Sequence, residues 1–361
     1  MFTRTRFPKI RFARPTRFTR LARPPIDQVS RFVLRLVFGI GLAMAAVYGV
    51  PFAVPHVSLL IVVLLLSKPG PPMALVKSAV LAGIFCLLTG VGVLLVPLLE
   101  SYAFAALLVI VLVLFTVFYI GTKQSHPLLS LLIVTFTLIP VAGVQEQALA
   151  LTVIHALAAG IVLAAVCGML VYLIWPDLHV IQPPKPVPSD NDMATWIALR
   201  GVVIVLPVLL LALQNPSLYM AAIMKTATLS QQAGTLTAKE AGRELVGSTL
   251  LGALLAALIW QGLTLWPSLW MFVLWMMLVF CGMALRLYRI LPSKYPPSFW
   301  MNTMITLVIF LGPAVQDSAN GKDVFTASVV RLALFTAVAL YAWGAIYALE
   351  LLRNRFYRVA A

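Results

Sequence analysis

The feature that most constrains this chain is a series of long, unbroken apolar runs. Phe32–Val50, Ser78–Pro97, Tyr102–Gly121 and Ala148–Trp175 each approach or exceed the roughly 20 helical residues that a bilayer core requires. The runs are continuously apolar rather than alternating, so they predict helices and exclude a transmembrane barrel. Shorter runs, Val54–Ser67 and Pro127–Val144, complete a first set of six. A second set follows: Trp196–Leu213, Pro216–Leu229, Leu245–Leu265, Ser268–Leu287, Ser298–Val315 and Thr326–Leu352. The expected fold is all-α and polytopic, with about 12 transmembrane helices. Hydrophobic residues make up 62% of the chain and charged residues 10%, whereas a soluble domain is roughly a quarter charged. A dozen spans within 361 residues leave no room for a soluble catalytic domain.

Charge distribution tests this count. With a cytoplasmic N-terminus, the inner loops hold Lys68, Lys77, Lys123, Lys185, Lys239, Arg243, Arg286, Arg289 and Lys294. The outer loops hold Lys322 alone among the basic residues, with Glu100, Glu146, Asp317 and Asp323. This is the bias of a protein whose positive loops stay inside. Residues 1–30 form a basic arm, read as contacting anionic lipid headgroups rather than nucleic acid, although a mitochondrial transit peptide would share its composition. The expected organisation is the arm, a first six-helix repeat over 31–175, a Pro-rich linker over 176–195, a second repeat over 196–352, and a basic cytoplasmic tail over 353–361. Both termini are then cytoplasmic, in a bacterial inner membrane.

The two sets match in order. Arg35 in the first helix corresponds to Arg200 in the seventh. Val54–Ser67 and Pro216–Leu229 are both short and follow a Pro-containing turn, and each leads to a cation, Lys77 or Arg243. Pro140 precedes Val-Gln-Glu (Val144–Glu146), and Pro313 precedes Val-Gln-Asp (Val315–Asp317). Thr-Val-Ile-His (Thr152–His155) opens one last helix and Ser-Val-Val-Arg (Ser328–Arg331) the other. An even number of spans per copy makes the repeats parallel, with a passage where they meet.

Charge at membrane depth costs about 2.5–3.5 kcal/mol on insertion scales, so each instance needs a reason. Here nearly all are cations: Arg35, Arg200, Lys77, Arg243 and Lys225 toward the inner face, His155 and Arg331 toward the outer. Two tiers of positive charge suit an anion passage. Arg35 and Arg200 equally fit snorkelling to headgroups, Lys77 and Arg243 fit interfacial anchoring, and His155 fits a satisfied core histidine. Glu146 and Asp317 read as an exit gate or proton-coupling pair facing His155 and Arg331, or as solvated loop carboxylates. Cys86, Cys167 and Cys281 lie in apolar runs without metal-ligand spacing, so no metal or cofactor is expected. No nucleotide-binding loop or nucleophile elbow occurs, which points away from an enzyme.

The two-by-six layout and the stretch Arg243–Gly252 (RELVGSTLLG), with Lys77 as its counterpart, resemble the fusaric-acid-resistance and aromatic-acid-exporter superfamily. The closest likeness is to its short, uncharacterised inner-membrane members, described as paired with periplasmic membrane fusion proteins. Arg243, Thr249 and Gly252 match the family pattern of Arg, Gly-Thr and Gly. A Ser interrupts the Gly-Thr pair here, and the large cytoplasmic domain of many relatives is replaced by Pro176–Thr195. The resemblance implies efflux of small organic, especially aromatic, acids and a periplasmic adaptor as partner. An organic-anion channel, or a non-transporting scaffold for such an adaptor, would use the same features. Oligomeric state, including a homo-oligomer, is left open.

Overall fold

The structure, a computed structural model, describes residues 27–124, 127–178, 191–233, 238–319, 321 and 323–360. In chain order its helices are α1 (Gln28–Gly49), α2 (Pro55–Leu66), α3 (Leu75–Ser101), α4 (Ala103–Gln124), α5 (Pro127–Gln145) and α6 (Gln147–Ile174). These are followed by α7 (Asn191–Gln214), α8 (Pro216–Ala233) and the short α9 (Ala238–Ala241). A π-helical turn, Gly242–Val246, leads into α10 (Gly247–Leu265), α11 (Leu269–Leu287), α12 (Pro297–Ala319) and α13 (Val324–Ala360). No strand occurs among the described residues.

Among the described residues, nine helices are long and apolar enough to cross a bilayer. The chain is a helical multi-pass membrane protein. Three of the dozen apolar runs fall outside this nine. The α2 helix has 12 residues, a rise of about 18 Å against a hydrocarbon core of about 30 Å. The described apolar part of α5 is short, Leu132–Gln145. The α8 helix reaches 18 residues, yet its sequence mixes Lys225, Thr226, Thr228, Ser230 and Gln231 among the apolar positions.

Helices also outrun the apolar runs. The α1 helix begins at Gln28, within the stretch read as the arm. The α7 helix begins at Asn191, within the stretch read as linker, and α13 continues through the stretch read as tail. The reason is physical: hydropathy marks the edge of the hydrocarbon, whereas backbone hydrogen bonding continues where polar side chains are solvated. The remainder of the arm (1–26) and of the linker (179–190) lies outside the described residues, as do Lys185 and Lys322.

Two short helices form the centre. On α2, Leu59 to Val63 are almost completely buried, and the helix packs against α1, α6 and α12. Gly160 on α6 permits this approach, because a Cβ there would stand 2.8 Å from the Ser58 carbonyl oxygen. The Ser58 hydroxyl donates to the Ala156 carbonyl across the same contact, at 2.7 Å. The α8 helix sits similarly, against α5, α7, α12 and α13. Between the N-terminal and C-terminal sets, α1 packs on α11 and α7 on α4, while α2 packs on α12 and α8 on α5. Around this core the outward faces are apolar. Val76, Val80, Ile84 and Leu87 on α3, and Leu250, Leu254 and Leu258 on α10, are exposed at helical spacing. Such a surface matches lipid tails and would be an aggregation hazard in water.

Candidate functional site

The segment after α2, Ser67–Ala74 (SKPGPPMA), cannot continue a helix. Pro69, Pro71 and Pro72 lack the amide donor, and Gly70 adopts φ +144°. This stiff loop borders a cavity of about 520 Å³ at the end of the bundle where α1 and α3 begin and α2, α6 and α11 end. Its walls are apolar and aromatic, including Leu66, Ile161, Val171, Phe32, Tyr172 and Tyr288. Among the described residues three cations line it, Arg35, Lys68 and Lys77, and no carboxylate does. The Tyr288 hydroxyl donates to the Ser67 carbonyl at 2.8 Å and so ties α11 to the loop.

Arg35, two turns into α1, is buried and turned inward rather than toward headgroups. It forms an ion pair with Asp177 and donates to the Gly70 carbonyl at 3.3 Å. Its guanidinium lies 4.9 Å from the centre of the Phe32 ring and 5.0 Å from that of Tyr172. The buried Nε has no partner. Lys77 is exposed on the first turn of α3. Lys68, in the loop, is partly shielded by its neighbours, and this burial lowers its pKa below the ordinary lysine range.

The other inner cations occupy three separate settings. Arg200 on α7 is buried and ion-paired with Glu350 of α13 at 3.7 Å. Arg243 is exposed on the π-helical turn, 4.7 Å from the centre of the Tyr295 ring. It lines a second cavity, about 640 Å³, together with Glu240, Glu244, Arg289 and Lys294. Charge there is mixed, so the second cavity favours anions far less than the first. Lys225 is fully buried within α8. It donates to Asn302 Oδ1 at 2.9 Å and Thr306 Oγ1 at 2.5 Å, both on α12. The Asn302 amide donates in turn to Ser248, whose hydroxyl donates to the Glu244 carbonyl, and the Glu244 carboxylate accepts from Ser298 at 2.6 Å. Gly252 makes room for this contact, since a Cβ there would lie 2.7 Å from Thr306 Cβ.

At the opposite end, Arg331 on α13 forms an ion pair with Asp317 on α12. His155 is not beside them. It is exposed on α6, and Glu146, at the N-terminus of α6, is exposed as well. Neither side chain makes a hydrogen bond or ion pair among the described residues. The imidazole near Arg331 belongs instead to His56, buried at the start of α2. The residues expected at this end are therefore only partly brought together: Asp317 meets Arg331, whereas His155 and Glu146 face outward. Sequence reasoning missed Lys68 and His56 as site residues, and Asp177, Asn302 and Glu244 as partners. One signal was available for His56: a lone histidine following the proline that opens a wholly apolar helix.

Residues 33–171 match the model of a family described as "Protein of unknown function (DUF2955)", so the first six helices are similar to that family. No curated protein and no solved structure matches the chain.

Proposed function

We propose that this chain is an inner-membrane exporter of small organic acids, aromatic acids foremost, built from two parallel six-helix repeats and acting with a periplasmic membrane fusion protein. The observation that carries this reading is the first cavity. Three cations, one of them paired with Asp177, no lining carboxylate among the described residues and a wall of apolar and aromatic side chains match an aromatic ring bearing one negative charge. Its 520 Å³ lies within the range of small-molecule sites, about 300–1,000 Å³. Cationic donors replace the water that a carboxylate loses on entering, and the aromatic walls take the ring.

Reciprocal packing supports the repeat. The pairs α1–α11 and α7–α4 exchange equivalent partners, as do α2–α12 and α8–α5. The ion pairs Arg35–Asp177 and Arg200–Glu350 likewise join the first helix of each set to the end of its last. The basic loops support a cytoplasmic position for the first cavity and for both termini. Export of an anion then runs with an inside-negative potential, which contributes about 2.3 kcal/mol per 100 mV. The Arg331–Asp317 pair at the other end supports a carrier over an open channel.

Efflux of benzoate from proteoliposomes tests the reading. Lys77→Glu places a carboxylate at the first cavity and is expected to slow efflux by about tenfold. Arg243→Glu, at the mixed-charge cavity, is expected to slow it by less than about threefold. Equal efflux in wild type and Lys77→Glu overturns the assignment.

A further inference from the structure

The end of the bundle opposite the first cavity holds two buried nitrogens with no partner: His56 Nδ1 and Arg331 Nη1. Buried polar groups in folded proteins are nearly always paired, so two unpaired atoms in one neighbourhood call for a ligand or an alternative state. His56 belongs to the contact between the two sets of helices, and Arg331 is joined to that contact through its ion pair with Asp317 on α12. His56, 8% exposed, is the second residue of α2, and α2 packs on α12. Gly312 of α12 lies directly against the His56 side chain, where a Cβ would collide. Gln316, one helical turn further, lies within hydrogen-bonding reach of the imidazole and donates to the Ala53 carbonyl at 2.7 Å, pinning the end of α12 to the segment before α2. The positive charge of Arg331 reaches the imidazole across this contact. Asp317 already binds Arg331, through Nη2.

Resting on the transport reading above, we propose that Arg331 and His56 form a second carboxylate-binding station, closed in this structure by Asp317 acting as a tethered substitute for the substrate's carboxylate. A carboxylate accepts hydrogen bonds only, and a guanidinium presents its donors as a fork. An incoming carboxylate displaces Asp317 from Arg331 and takes one bond from Nη1. A second bond comes from His56 Nδ1, which is a donor in the Nδ1–H tautomer and in the imidazolium. The Asp317 side chain then turns to water at the end of α12. Because Arg331 and Asp317 belong to one set of helices and His56 to the other, occupancy of the station bridges the two sets. The closing contact is replaced by the substrate itself.

Equilibrium binding of radiolabelled benzoate to the purified full-length protein tests the station. Asp317→Asn removes the competing charge and is expected to tighten benzoate binding by about tenfold. In that background, Arg331→Gln or His56→Gln is expected to cancel the gain, while Asp317→Glu keeps the wild-type affinity. Asp317→Ser serves as a second release variant should Asp317→Asn fail to elute as a monodisperse species. An affinity unchanged or weakened in a folded release variant overturns the station, as does a gain that survives both Arg331→Gln and His56→Gln. If Lys77→Glu still slows efflux in that case, the exporter reading stands and the station alone falls.

Discussion

The α1–α3 region and the α8–α12 region solve the same problem, polar groups inside a membrane bundle, in opposite ways. In the first, the interior helix α2 is apolar along its length and the charges are displaced to its end. There the Pro-rich loop holds open a cavity bordered by Arg35, Lys68 and Lys77. In the second, the interior helix α8 carries Lys225 at its centre, and Asn302, Thr306 and Ser248 close around it. The first leaves Lys68 and Lys77 at the edge of open space, with Arg35 paired to Asp177, whereas the second satisfies its cation internally. A buried amine forces this closure, because each unpaired donor in a dry interior is costly. The comparison teaches that a cation's function depends on who occupies its hydrogen bonds.

The largest expected effect tests the closed region. Asn302→Leu removes the amide that joins Lys225 to Ser248 and leaves the buried ammonium with Thr306 as its remaining side-chain partner, at a cost of about 3 kcal/mol. Thermal unfolding followed by size-exclusion chromatography measures this. Stability equal to wild type means that Lys225 does not depend on the network. A smaller effect compares the two ion pairs that tie first helices to last ones. Asp177→Asn leaves Arg35 buried without its carboxylate and is expected to cost about 2 kcal/mol. Glu350→Gln is expected to cost less than about 1 kcal/mol, since the Glu350 side chain is one-third exposed and its pair is longer, 3.7 Å. Reversal of that order in the same unfolding assay removes the distinction between an enclosed and a solvated pair.

The smallest effect concerns pH at the open region. Lys68 binds an anion as an ammonium, and burial lowers its pKa. The charged form is lost as pH rises, earlier than for an ordinary lysine. Benzoate binding at the first cavity is therefore expected to weaken by about threefold on the alkaline side, the size appropriate to a partly exposed charge. Lys68→Arg keeps its charge there and is expected to move that decline to higher pH. Superimposable pH profiles for the two proteins exclude Lys68 from the anion site.

By itself the sequence determined that this chain is helical and crosses a membrane many times, because apolar runs of bilayer length have no other way to satisfy their backbone in lipid. It also supplied the cation inventory and the matched order of Arg35 with Arg200 and of Asp317 with Glu146, which follow from position along a line. Helix limits were legible only approximately, since Gln28, Asn191 and Ala360 lie beyond the apolar runs and yet belong to helices. Only the tertiary structure decided which charges share a space. Arg35 and Lys77 meet because the Pro-rich loop folds over the ends of α1 and α6, while Arg243, on the π-helical turn before α10, faces another cavity. His155 faces outward and His56 lies near Arg331 because the helical face a residue occupies is set by how α2, α6 and α12 pack, and composition does not encode that rotation. Pairing partners such as Asp177 and Asn302 are distant in sequence from Arg35 and Lys225, so contact between them exists only once the helices have assembled.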